Sequence, residues 1–166
     1  MLIIFGGLPG TGKTTIAKIL AQKLKAIYLR IDTIEQALVE AGIKKQHINA
    51  LGYEVGYAIA AENLQLNLTV IADSVNPVNI SREAWRNLGL NAGVPFLEIE
   101  IICSDKEEHR KRIESRVTDI VNLKLPNWQS VLEREYDSWS HDHLVIDTAK
   151  VSANEAVDII MNAIGM

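Results

Sequence analysis

Apolar positions along the chain follow two alternating rhythms. Short, mostly continuous apolar runs occur at Leu2–Phe5, Ala26–Ile31, Leu68–Ala72, Phe96–Cys103 and Leu144–Ile146. Runs of that length without alternation predict strands buried on both faces. Between them, apolar residues recur at helical spacing over Thr14–Leu24, Thr33–Ala41, Asn49–Leu66, Arg82–Leu90 and Asn154–Ile164, and a long charged region runs from Lys106 onward. Strand alternating with helix predicts an α/β fold, a parallel sheet covered on both faces. No repeat, low-complexity tract or linker divides the chain, so residues 1–166 are read as a single domain.

Ligands of such sheets bind beyond the carboxyl ends of the strands. The first strand runs into Gly7-Leu8-Pro9-Gly10-Thr11-Gly12-Lys13-Thr14, followed by Thr15 and the first helix. This is the full pattern G-x-x-x-x-G-K-[ST] in its required context of strand, loop and helix. Glycines let the backbone approach an anion, and the loop amides and helix N-terminus form a positive cradle for phosphates. Lys13 is placed to reach the β- and γ-phosphates, and the Thr14 hydroxyl to bind Mg2+.

Four of the five strand ends carry an aspartate: Asp32, Asp73, Asp105 and Asp147. Asp73 reads as a Mg2+ partner or as an N-cap for the segment after it. Asp32 reads as the group beside an acceptor hydroxyl, or as a cap for a helix beginning near Thr33 with Glu35 in the box position. In the charged region, Arg112 and Arg116 lie one helical turn apart. They suit an anion between them; the alternative is a solvated face with ion pairs to Glu107 and Glu108. Val117–Trp128, with Pro126, reads as a mobile loop, and residues 107–140 as a lid over the nucleotide. Arg134 is a weaker phosphate candidate.

Trp85, Trp128 and Trp139 read as packing anchors, and Tyr53 and Tyr57 as core or acceptor-pocket wall. The four histidines show no metal-ligand grouping with Cys103, and the 141/143 pair reads as surface. Composition narrows the classes further. A net charge of −4 argues against a nucleic-acid partner, although Lys106–Arg116 could form a local basic patch. No apolar run approaches the roughly 20 residues needed to span a bilayer, and the N-terminus lacks the basic region of a signal peptide. A single cysteine makes no intramolecular disulfide, and cytoplasm is the simplest compartment.

Together, Gly7–Thr15, Asp32, Ala72-Asp73-Ser74-Val75-Asn76-Pro77, Arg112-x-x-x-Arg116 and Asp147-Thr148 resemble the small P-loop kinases of the nucleoside-monophosphate-kinase-like fold. The resemblance covers essentially the whole chain. It points to the predicted-kinase or AAA-type ATP-binding group, which is similar to chloramphenicol phosphotransferase, zeta toxin, adenylylsulfate kinase and polynucleotide kinase domains. It implies a P-loop NTPase of three α/β/α layers, with a five-stranded parallel sheet of order 2-3-1-4-5 and a helical lid. It also implies ATP and Mg2+ as cofactors, and transfer of the γ-phosphate to a hydroxyl of a small molecule.

By matching position, the resemblance makes Asp32 the acceptor-side base. It sets Arg112 near the adenine and Arg116 on the transferring phosphate. Thr148-Ala149-Lys150 would pass beside the adenine, and Asn76 and Arg82 would face the acceptor. No typical nucleoside-monophosphate-binding insertion separates strands two and three. A nucleic-acid end kinase, a toxin-like sugar-nucleotide kinase and a non-catalytic nucleotide-binding regulatory module share these motifs. The acceptor, the choice of ATP over GTP and the oligomeric state are left open.

Overall fold

Five parallel strands pair in the order β2-β3-β1-β4-β5. This is the order the resemblance implies. The computed structural model describes residues 1–48 and 50–166. The strands are β1 (Leu2–Gly6), β2 (Ile27–Arg30), β3 (Val70–Asp73), β4 (Phe96–Ile102) and β5 (Leu144–Asp147). The helices are α1 (Lys13–Leu24), α2 (Ile31–Glu40), α3 (Leu51–Gln65), α4 (Asn79–Asn91), α5 (Lys106–Ser115), α6 (Trp128–Leu132) and α7 (Ala153–Ala163).

The central strand explains the lack of alternation in its sequence. Ile3 and Phe5 enter one core with Ile16 and Leu20 of α1, Ile99 and Ile101 of β4, and Val157 and Ile160 of α7. Leu2 and Ile4 enter the opposite core with Ala60 and Leu64 of α3 and Trp85 of α4. Each face therefore needs its own apolar residues, and the strand has no polar side. Trp85 is fully buried and meets the Tyr57 ring edge-on at 4.6 Å. Register then decides what reaches the rim. Phe5 and Arg30 both pair with Asp73, so β1, β2 and β3 end level beside the glycine loop.

Several helix starts differ from the sequence reading. Helix α2 begins at Ile31, directly after Arg30, and no side chain caps it. Asp32 therefore lies inside the first turn and is not its cap. Helix α4 begins at Asn79, ahead of the expected Arg82, because Val78 is extended and supplies the first turn's carbonyl partner. The expected start of α3 at Asn49 lies outside the described residues. The long charged region resolves into α5 and the five-residue α6, joined by a non-helical segment. In contrast, α7 starts on the signal its sequence carries, a reciprocal capping box between Ser152 and Glu155.

Replacing Trp85 by Ala removes the largest buried side chain of the α3–α4 face. We expect a loss of about 3–5 kcal/mol in denaturant unfolding. A midpoint shift well under this would mean that the face collapses around the gap.

Candidate active site

The loop from Gly6 to Lys13 leaves the sheet in a conformation that its glycines make possible. Gly7 has φ of 131°, and a Cβ there would collide with the Ile101 carbonyl of β4. Gly10 has φ of 83° and sits against the Ile113 side chain of α5. The loop then folds on itself. The Lys13 Nζ donates to the Leu8 carbonyl at 2.8 Å, and the Thr11 hydroxyl donates to the same oxygen at 3.0 Å. Helix α1 starts behind Gly12 with no side-chain cap, so its first amides are offered to a ligand.

Lys13 is almost fully buried. Burial pushes its ammonium down to about 8, against the opposing pull of Asp73 and then Asp32. Asp73 is 3% exposed at the end of β3 and accepts a hydrogen bond from the Tyr28 hydroxyl at 2.6 Å. Burial, reinforced by Asp73, raises the Tyr28 hydroxyl, so it remains the donor. Asp73 does not cap α4, which starts six residues later.

Lys13, Thr14, Thr15, Asp32, Asp73, Arg112 and Arg116 line one cavity of about 920 Å³. Arg112 makes the ion pair that the solvated-face reading expected. Its Nε pairs with Glu108 at 2.9 Å, while its Nη1 donates to the Thr148 hydroxyl at 2.8 Å. Arg116 closes the last turn of α5, its amide donating to the Arg112 carbonyl at 3.0 Å. It follows the last residue of α5 in extended conformation, and its buried Nε has no partner among the described residues. Burial lowers its pKa and the nearby Asp32 opposes this. A half-buried guanidinium with an idle donor beside the loop fits an anionic ligand.

Thr148 and Ala149 follow the end of β5 and are not among the residues lining the cavity. The Thr148 hydroxyl lies 2.9 Å from the Thr11 carbonyl, and the Thr148 amide donates to the Ile102 carbonyl at 2.9 Å. The Ala149 amide donates to Asp147 at 3.1 Å. Asp147 also accepts from the Ser104 amide and hydroxyl, first among the causes that hold its carboxyl well below the usual range. Asp105 caps α5. Two of the four strand-end aspartates thus brace loops, and two face the cavity.

Three expectations are corrected by packing. Asn76 is fully buried and its side-chain amide donates to the Phe5 carbonyl at 2.8 Å. Arg82 is 3% exposed, donates to the carbonyls of Asn76, Pro77 and Asp137, and lies 4.4 Å over the Trp139 ring. Neither faces the cavity: each satisfies backbone carbonyls where α4 leaves the sheet. His143 is not a surface residue either, since it stacks on Trp139 at 4.4 Å.

Other site residues carry no local signal. The segment 116–127 crosses the cavity and is tied down by Asp119, whose carboxylate takes Lys18 of α1 and Arg30 of β2, the latter at 2.7 Å. Those two hydrogen bonds hold Asp119 well below the usual carboxylate range. His109 of α5 places its Nε2 2.8 Å from the Pro9 carbonyl, and its ring meets Trp128 of α6 edge-on. Tyr53 forms cavity wall, whereas Tyr57 belongs to the core.

The AAA domain family AAA_33 matches residues 2–134. The chain belongs to this family. As an AAA_33 member it has the nucleoside-monophosphate-kinase-like P-loop kinase fold. It is 29% identical over 147 residues to the "Probable adenylyl-sulfate kinase" of Aeropyrum pernix, covering 86% of this chain and 80% of that one. It is 29% identical to the cytidylate kinase of Methanocaldococcus jannaschii, over 99% of this chain and 97% of that one. The Mycobacterium tuberculosis APS kinase CysC, solved with AMPPNP and APS, superposes with a TM-score of 0.71. It shares 17% identity over 99% of this chain and 97% of that one, a likeness of fold. Among the described residues no helix is long and apolar enough to cross a membrane.

The Lys13 ammonium yields a pH prediction. In the free protein it loses its proton as pH rises through about 8, and a bound phosphate restores that proton. Mg-ATP binding at roughly pH 9 is therefore expected to take up close to one proton. Calorimetry in buffers of different ionisation enthalpy measures it. Lys13→Met abolishes the uptake; an uptake that persists in this variant assigns the proton to another group.

Proposed function

We propose that the chain is an ATP-dependent phosphotransferase that moves the γ-phosphate of Mg-ATP to a hydroxyl of a small molecule. The observation that supports it best is convergence. The phosphate loop, two aspartates and the idle Arg116 donor share one cavity beyond the ends of the parallel strands.

Lys13 and the loop amides would hold the β- and γ-phosphates. Mg2+, bound through Thr14 with Asp73 close by, would neutralise charge on the phosphate oxygens. Asp32 would accept the acceptor's hydroxyl proton, or fix that hydroxyl in line. Arg116 would answer the charge on the transferring group, as its position on the cavity wall allows. Arg112, anchored on Thr148, would stand at the adenine end. The segment 116–127 would exclude water while tied down through Asp119.

Related names support a kinase and leave the acceptor open, since adenylyl-sulfate and cytidylate kinases act on different acceptors. The AMPPNP complex of the Mycobacterium protein favours an adenosine triphosphate donor.

The test is a pooled library of metabolites and antibiotics incubated with pure protein and Mg-ATP. Mass spectrometry reads the gain of one phosphate. Asp32→Asn is expected to lower transfer by roughly 10²–10⁴-fold while ATP affinity changes little. Lys13→Ala should weaken nucleotide binding and transfer together. Unchanged turnover in Asp32→Asn removes Asp32 from the chemistry. ATP binding with no phosphorylated product shifts the reading to a regulatory module or a macromolecular acceptor.

A further inference from the structure

A further carboxylate in the cavity has no part in the transfer chemistry described so far. Glu35 lies three residues beyond Asp32 on α2, so the two side chains share one helix face, and both line the cavity. Glu35 is half-buried, and among the described residues it makes no hydrogen bond and no ion pair. Its position is held from behind by α3. A Cβ at Gly52 would collide with the Glu35 side chain, with Oε1 only 3.1 Å away. Gly52 therefore leaves room for the Glu35 side chain between the two helices, at the wall of the cavity.

An ionised carboxylate only accepts hydrogen bonds, and two of them side by side repel. Burial and then the charge of Asp32 raise the Glu35 carboxyl, while Lys45 and Arg134 oppose the rise from across the cavity. Among the described residues neither Lys45 nor Arg134 comes within ion-pair distance of either carboxylate, and the one ion pair Asp32 makes, with Arg30, is long at 4.0 Å. The pair is thus left to meet donors from a ligand. Paired hydroxyls satisfy both carboxylates without adding charge beside the phosphates.

Resting on the phosphotransferase reading, we propose that Asp32 and Glu35 form a paired-carboxylate clamp for an acceptor with adjacent hydroxyls, a vicinal diol of a polyol or sugar. Asp32 takes the attacking hydroxyl and Glu35 its neighbour. The attacking oxygen forms the new bond to the γ-phosphorus as the bond to the bridging oxygen of ATP breaks. ADP leaves with that electron pair, and the hydroxyl proton passes to Asp32 and on to solvent. Glu35 holds the second hydroxyl throughout and sets which alcohols are accepted.

The experiment is an array of polyols, pentoses and hexoses, each beside its monodeoxy counterpart and an amino-alcohol analogue, with Mg-ATP and a mass-spectrometric readout. Phosphate is expected on compounds with adjacent hydroxyls. Loss of the neighbouring hydroxyl should lower kcat/KM roughly 10–100-fold. Glu35→Gln should raise the acceptor KM by a similar factor and flatten the diol-to-deoxy preference. It should leave the KM for ATP unchanged, which a merely structural role would not do. Gly52→Ala, which displaces Glu35 without removing it, should reproduce the effect, and Glu35→Asp should restore part of the preference.

An unaltered preference in Glu35→Gln overturns the clamp, as does preference for the amino alcohol or for isolated hydroxyls. No transfer to any member, from protein that still binds ATP through Lys13, overturns the diol class alone. Lack of ATP binding in the wild type would instead overturn the phosphotransferase reading beneath it.

Discussion

Lys13 is a cation buried where the central strand, the glycine loop and helix α1 meet, and much of the site is an answer to that charge. Removing an ammonium from water is costly unless oxygens replace the water. The Leu8 carbonyl supplies one partner directly. Asp73 and Asp32 supply negative potential, and the balance leaves the group near neutrality at about 8. A buried cation that is only partly compensated is prepared for an anion, so the burial that lowers its pKa also favours a phosphate beside it.

Around this centre the chain uses distant residues as fasteners. Helix α5 holds the outside of the loop through His109 on the Pro9 carbonyl and Ile113 against Gly10. Arg112 and Thr148 join α5, the Thr11 carbonyl and the end of β4 in one hydrogen-bonded group. Asp119 fastens the crossing segment to α1 and β2 at once. Near the surface such pairs contribute little stability individually. Their effect is geometric, because they fix where the segment 116–127 lies and how much water the cavity admits.

The acceptor end is organised differently, by helix–helix proximity. Gly52 and Gly56 of α3 face Glu35 and Ile31 of α2, and a Cβ at either glycine would displace the facing side chain. That close approach brings the Asp32–Glu35 face of α2 to the cavity opposite Tyr53. The neighbouring Asn76 amide and Arg82 guanidinium donate to backbone carbonyls and do not line the cavity.

Local chemistry was legible from the chain. The phosphate loop is a contiguous pattern, and the apolar runs report strands buried on both faces. The aspartates at strand ends follow from where parallel sheets bind ligands. Strand order came with the family resemblance. What tertiary structure decided were pairings between residues remote in sequence. Arg30 and Asp119 are 89 positions apart, Pro9 and His109 are 100, and Lys18 and Asp119 are 101. Such pairs leave no periodic or motif signal, because nothing in the local chain must change for them to form. The fates of Asn76 and Arg82 show the same limit. Polar residues after a strand look alike in sequence, and only the packed backbone decides whether carbonyls or a ligand will claim them.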